Sequence, residues 1–169
     1  MAVLTGQPAE ARPTLPVLFS AMNPEPTGHR RLASADPDVP MTIEYGYLST
    51  AAVRAALRAG VRTALALVSS AAFAGVTDGP PDLDHRTATD DTALDRWIRN
   101  RLGTSLHTCG TAPMGSPDDP GTVVDQFGRV HGIDGLRVAD TSIPAVPRRA
   151  PANTAVLIGE MVVDALRRG

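Results

Sequence analysis

Lysine is absent from this chain of 169 residues, so all 16 basic residues are arginine. GC-rich coding produces that bias as readily as any physical demand, and no function follows from it. Cysteine is nearly absent too: the single thiol, Cys109, excludes an internal disulfide and a multi-cysteine zinc site. Neither sign of charge dominates, since 16 basic against 18 acidic residues leave −2 at pH 7. That balance gives no electrostatic footprint for nucleic acid or for an anionic membrane. No apolar run reaches the roughly 18 residues that a membrane helix requires. The chain also lacks a G-x-S-x-G elbow, a P-loop, an H-E-x-x-H pair and a G-x-G-x-x-G turn, so it carries no dinucleotide fingerprint of its own.

What is present describes one globular domain's worth of protein. Hydrophobic residues make up 43% and charged residues 20%, a globular balance. Fifteen glycines and fifteen prolines are too many for a helical bundle and predict a loop-rich mixed fold. Arg58 and Arg62 followed by TALALVSSAAFAG imitate a signal peptide at 58–75. Such signals act at the N-terminus, and Met1–Pro16 has no basic region before an apolar core. An internal helix and a cytoplasmic protein are therefore expected.

Residues 1–30 show little periodicity, although LPVLFSAM (15–22) reads as a short buried strand. In MTIEYGYLS (41–49), Met41, Ile43, Tyr45 and Tyr47 alternate with Thr42, Glu44, Gly46 and Leu48. That period of two predicts a half-buried antiparallel strand, preceded by a Pro-rich turn at 35–40. A helix capped by Ser49 or Thr50 follows, with Ala52, Val53, Ala56 and Leu57 on one face and a kink or break expected at Gly60. GVTDGPPDLD (75–84) reads as a loop. A second helix is predicted over 91–102, with Leu94, Trp97, Ile98 and Leu102 inward, Asp95, Arg96, Arg99 and Arg101 solvated, and Gly103 as its stop. From 104 to 150 short apolar runs alternate with turns. A last helix near 154–167 is apolar on most sides, and such a helix is built to be covered on nearly all faces.

Two residues stand out chemically. His107 lies in L-H-T-C-G-T, where glycine lets backbone approach a ligand closely; a structural histidine beside a strand is the plain alternative. Joining it with Cys109 and His131 as a metal set fits no standard ligand spacing. Cys109 has no partner base nearby and reads as a small buried residue. Asn153, in P-A-N-T, stands at the mouth of the last helix. It reads either as an N-cap or as part of a seat for negative charge, because a helix N-terminus offers free N–H groups and a partial positive charge. Asp140, in LRVADTSIP, ends a short strand before a turn, where turn capping and ligand binding are both open.

Three blocks in order, HTCGTAPMG (107–115), VVDQFGRVHGIDGLRVADTSIP (123–144) and PANTAVLIGEMVVDAL (151–166), resemble the C-terminal end of glucose–methanol–choline flavin oxidoreductases. PTGHRRLASADPDVPMTIEYGYLS and the LRAGVR helix follow in register, so the resemblance covers about 24–166. HTCGTAPMG looks most like the group associated with the cofactor mycofactocin. Two details depart from the family pattern. Its Ser-Arg-Gly reads Pro26-Thr27-Gly28 here, and its usual cysteine after Gly-Thr is Ala112.

The resemblance implies FAD-dependent oxidation of a small-molecule alcohol. In that reaction a hydride passes to flavin N5 and a histidine acts as base. His107 takes the position of that histidine, a residue type that titrates near neutrality. Asn153 takes the position opposite it, holding the substrate oxygen. Asp140 and Thr141, with Asn153 and Thr154 at the helix start, are implied as flavin contacts, the helix dipole favouring negative charge there. No metal is implied.

The implied architecture is α+β, an antiparallel sheet flanked by helices. Residues 1–23 form a poorly defined segment, 24–135 a substrate-binding domain, and 136–169 a returning strand and helix that belong to the FAD domain. The family's glycine-rich FAD half lies N-terminal to this region. It is the expected partner, encoded separately or upstream. The alternative is a non-catalytic remnant or interaction domain without independent activity.

Overall fold

The computed structural model describes residues 2–4, 16–22, 28–76, 79–144 and 149–168. The fold is α+β, with small antiparallel sheets and helices. The elements in order are β1 (Ala2–Leu4), β2 (His29–Arg31), β3 (Thr42–Glu44), α1 (Ala51–Val68), a 3-10 turn (Ala71–Phe73), α2 (His85–Thr89), α3 (Asp91–Arg101), β4 (Leu102–Thr104) and α4 (Ala152–Arg167). Contacts divide the chain into two compact units, Met1–Ser105 and Leu106–Gly169. No helix among the described residues is long and apolar enough to cross a membrane.

The core of the first unit forms where α1 meets α3. Leu57 and Val61 on α1, and Leu94 and Ile98 on α3, are each one turn apart, so each pair presents a single apolar stripe. Those stripes pack together with Ala21, Leu83 and Ala88. Charged pairs flank the seam. Arg58 Nη1 lies 2.9 Å from both Asp95 carboxylate oxygens, and Arg62 Nη2 lies 2.6 Å from Asp91 Oδ1. The Arg62 hydrogen bond and the neighbouring Arg58 charge hold the Asp91 carboxyl below the ordinary aspartate range. Asp95 and Arg101 are therefore not simply solvated. Asp95 is half-buried against Arg58, while Arg101 contacts Asp82 at 3.1 Å and lies over the Trp97 ring at 4.4 Å.

Several local expectations are corrected. Thr50 is the cap of α1, its hydroxyl accepting the Val53 N–H at 3.2 Å, but the helix does not break at Gly60. Gly60 is buried under the Phe19 ring, and an added Cβ would fall 2.0 Å from Phe19 Cζ. The glycine serves a close approach rather than a kink, and the 16–22 stretch supplies packing groups, Phe19 and Ala21, without being a strand. Asp84, at the end of the 75–84 loop, caps the short α2, for which the sequence reading named no element, accepting from Thr87 N at 2.9 Å. The next helix ends at Arg101, and Gly103 is not its stop: it pairs with Val3 inside the β1–β4 ladder.

The strand expected at 41–49 is shortened to Thr42–Glu44 and is exposed rather than half-buried. Gly46 and Leu48 take φ of +60° and +62°, which ends the extended run, and β3 pairs with β2. Gly28 allows that pairing, since a Cβ there would lie 2.6 Å from the Glu44 carbonyl oxygen. Tyr45 and Tyr47, two apart and on one side, stack with centroids 4.9 Å apart.

The Gly60–Phe19 contact gives a sign test. Gly60→Ala gains about 1 kcal/mol of helix propensity but overpacks the ring, which costs about 1–3 kcal/mol, so a net loss is expected. In a Phe19→Ala background the same substitution is expected to stabilise. Urea unfolding of the four proteins checks this, and a stabilising Gly60→Ala with Phe19 intact would contradict the packing.

Candidate active site

The second unit is built on backbone pairing between distant segments, with little regular strand. The N–H groups of Gly110, Ala112 and Met114 donate to the carbonyls of Thr141, Ser142 and Ile143 at 3.2, 3.0 and 3.1 Å. The Thr141 hydroxyl donates to the Thr108 carbonyl at 3.0 Å. The histidine segment is thus laid along the 140–144 segment. Ala112, with Val124 and Ile143, is buried. Burial at 112 explains a small side chain at the position where the resemblance expects cysteine.

The 123–131 hairpin closes the other side. Val123 N donates to the Pro113 carbonyl at 2.8 Å, and Asp125 N to the Arg129 carbonyl at 2.9 Å. Asp125 Oδ1 accepts the Phe127 and Arg129 N–H groups and so forms the turn. Gly128, at φ +73°, lies so close to the next segment that a Cβ would sit 2.3 Å from the Val138 carbonyl oxygen. Val138 N in turn donates to the Gly128 carbonyl at 2.8 Å, which brings the chain to Asp140.

The sequence-predicted site residues all fall in this unit. His107 is half-buried at the head of the segment clamped by Thr141. Asp140 is exposed, and its Oδ1 accepts from both the N–H and the hydroxyl of Ser142, which is turn capping. Asn153 is not the helix cap. The helix begins at Ala152 after Pro151, and Asn153 is its exposed second residue, with Thr154 half-buried behind it. Among the described residues no hydrogen bond joins His107 to Asn153.

The start of α4 has no side-chain cap and no acidic residue in its first turn, while Ala155 N already bonds the Pro151 carbonyl at 2.8 Å. Its first N–H groups point out of the helix with the positive end of the dipole behind them. Those donors fit the carbonyl-bearing edge of a flavin; the glycine-rich turn that would hold a pyrophosphate is not among these residues. No group of His, Cys, Asp and Glu suited to a metal occurs among the described residues. Partial burial pushes the Cys109 thiol up, which favours its protonated form at neutral pH. Two features carried no pattern signal. Leu106 adopts φ +59° without being glycine, and Thr108 meets Thr141 across 33 residues of sequence.

The chain belongs to the GMC oxidoreductase family, whose model matches residues 24–159. An uncharacterized GMC-type oxidoreductase of Rhodococcus erythropolis is 41% identical over 82% of this chain and 27% of its own length. A 5-(hydroxymethyl)furfural oxidase of Methylovorus sp. is 35% identical over 88% of this chain and 30% of its own length. An oxygen-dependent choline dehydrogenase of Cronobacter sakazakii is 37% identical over 83% and 25%. The chain therefore spans between a quarter and a third of the length of these curated relatives.

Among solved structures, pyridoxine 4-oxidase from Mesorbium loti matches with TM-score 0.78 and 24% identity over 90% of this chain and 29% of its own, a likeness of fold. An Aspergillus oryzae formate oxidase studied for modification of its FAD matches with TM-score 0.74 and 30% identity over 83% and 24%.

The clamp predicts a cost at Gly110. With φ +73° and its nearest outside neighbour, the Pro144 carbonyl oxygen, 3.5 Å from an added Cβ, backbone strain rather than collision is the penalty. Gly110→Ala is expected to lose about 1–2 kcal/mol. Denaturant unfolding measures the loss, and hydrogen exchange should localise it to 110–114.

Proposed function

We propose that this chain is the C-terminal portion of an FAD-dependent oxidoreductase acting on CH–OH donors. The observation that carries the reading is the clamp of the His107 segment onto 141–143 within the same unit as the uncapped start of α4. FAD, when bound, supplies the hydride acceptor. Asn153 and Thr154 at the helix start, with Asp140 and Thr141 on the clamped segment, form its contacts on this chain. The first N–H groups of α4 favour negative charge at that edge.

The chain's own chemistry is proton handling and orientation. His107 takes the hydroxyl proton of the alcohol as hydride leaves the carbon, so negative charge never accumulates on the substrate oxygen. Asn153 does not titrate; its amide donates to that oxygen and fixes which face of the carbon is presented. Residues 24–135 serve as the substrate-binding domain and 136–169 as the returning strand and helix of the FAD domain. HTCGTAPMG favours the mycofactocin-associated group, and one cysteine without a disulfide partner fits a cytoplasmic setting.

Alone, the chain is expected to take up FAD weakly or not at all. Joined to a family FAD half, it should oxidise an alcohol in a His107-dependent way. His107→Ala should slow flavin reduction roughly 10²–10⁴-fold with little change in substrate affinity, and Asn153→Ala should cost less. Rapid-mixing reduction reads both, and an undiminished rate in His107→Ala refutes the assignment.

A further inference from the structure

We infer that Leu106 and Thr141 are positioning residues for His107, pinning the backbone on either side of it. The importance of His107 rests on the proposed function; the geometry of the pins does not.

Among the described residues, two that are not glycine take the left-handed conformation, Leu48 and Leu106. Leu48 has a packing reason. It is partly buried against the core of its unit. Leu106 is different: its side chain is 81% exposed, so burial does not offset the strained backbone. Strain that persists without burial belongs where a direction of the chain is being fixed. The residue whose direction it sets is His107, the next in sequence.

The second pin lies one residue beyond. Thr141 holds the loop twice, through its hydroxyl to the Thr108 carbonyl at 3.0 Å and through its carbonyl to the Gly110 N–H at 3.2 Å. The hydroxyl proton is thereby committed to the histidine segment. A valine has the same shape without the donor, whereas a serine keeps the donor and loses only the methyl group. The bond gives the role a chemical signature distinct from packing.

The test uses the full chain with labelled histidines. It has four, and His107→Ala identifies the resonance of interest. In Thr141→Val the His107 imidazole signals should shift and Gly110 amide exchange should accelerate about tenfold or more. Thr141→Ser should restore both, and the His29 and His85 signals should not move. Wild-type His107 signals and Gly110 exchange in Thr141→Val would overturn the inference, as would a failure of serine to restore them. If Thr141→Val does not fold, Leu106→Gly tests the other pin, since it removes an exposed side chain and frees the backbone. The His107 signals should then broaden or shift, and unchanged signals overturn the inference. None of these readouts depends on flavin or turnover, so failure here is distinct from failure of the proposed function.

Discussion

The C-terminal unit depends on one interaction, the pairing of the 110–114 backbone with the 141–143 carbonyls. Among its described residues the unit has isolated β-bridges but no strand, so no regular sheet satisfies its amide groups. Buried peptide groups must still find partners, because leaving one unpaired forfeits its hydrogen bond to water with no return. Pairing the histidine segment with the 141–143 stretch solves that problem. It also joins two of the three sequence blocks that hold the candidate residues. Gly110 is needed because the chain turns left-handed there, and Ala112 because the pairing buries it.

The same unit leaves much apolar surface uncovered. On α4 only Val162 is buried, while Val156, Leu157 and Met161 are each more than half exposed, at 67%, 58% and 56%. A row of this kind on a helix marks a surface that something else covers. The β2–β3 hairpin makes the same point in the first unit, since Ile43 is exposed and two strands alone are marginal in water. The curated relatives are several times longer than this chain, and the FAD half of the proposed function is a body of the right kind to cover α4.

Strong helical periodicity made α1 and α3 legible. Leu94 and Ile98 mark the inward stripe of α3, and Thr50 has the chemistry of a cap. Five-residue α2 has too few residues to show a period, and its one signal is Asp84 three residues before Thr87. Gly60 misled because a glycine in a helix suggests weakness, whereas Phe19, 41 residues earlier, requires the space. The candidate residues were legible as blocks: His107, Asp140 and Asn153 stand out by residue type and neighbours. Thr141 holding Thr108 was not, because a hydrogen bond across 33 residues leaves no local pattern.

The attachment of α4 bears on why its start is the end that the proposed function offers to a ligand. Val162, in its C-terminal half, is the buried anchor, and its Cγ2 lies 3.1 Å from where a Cβ on Gly128 would be. Glycine at 128 thus lets the hairpin turn approach both Val138 and the helix. An anchor so far along leaves the helix from Ala152 through Met161 without a buried residue. The N–H groups at that end lack a side-chain cap as well. A helix gains nothing in isolation from uncapped donors at an uncovered end. Here the uncapped donors and the bare apolar turns coincide, so one partner that brings both an acceptor edge and an apolar surface would satisfy the two together. The FAD half of the proposed function is a partner of that kind.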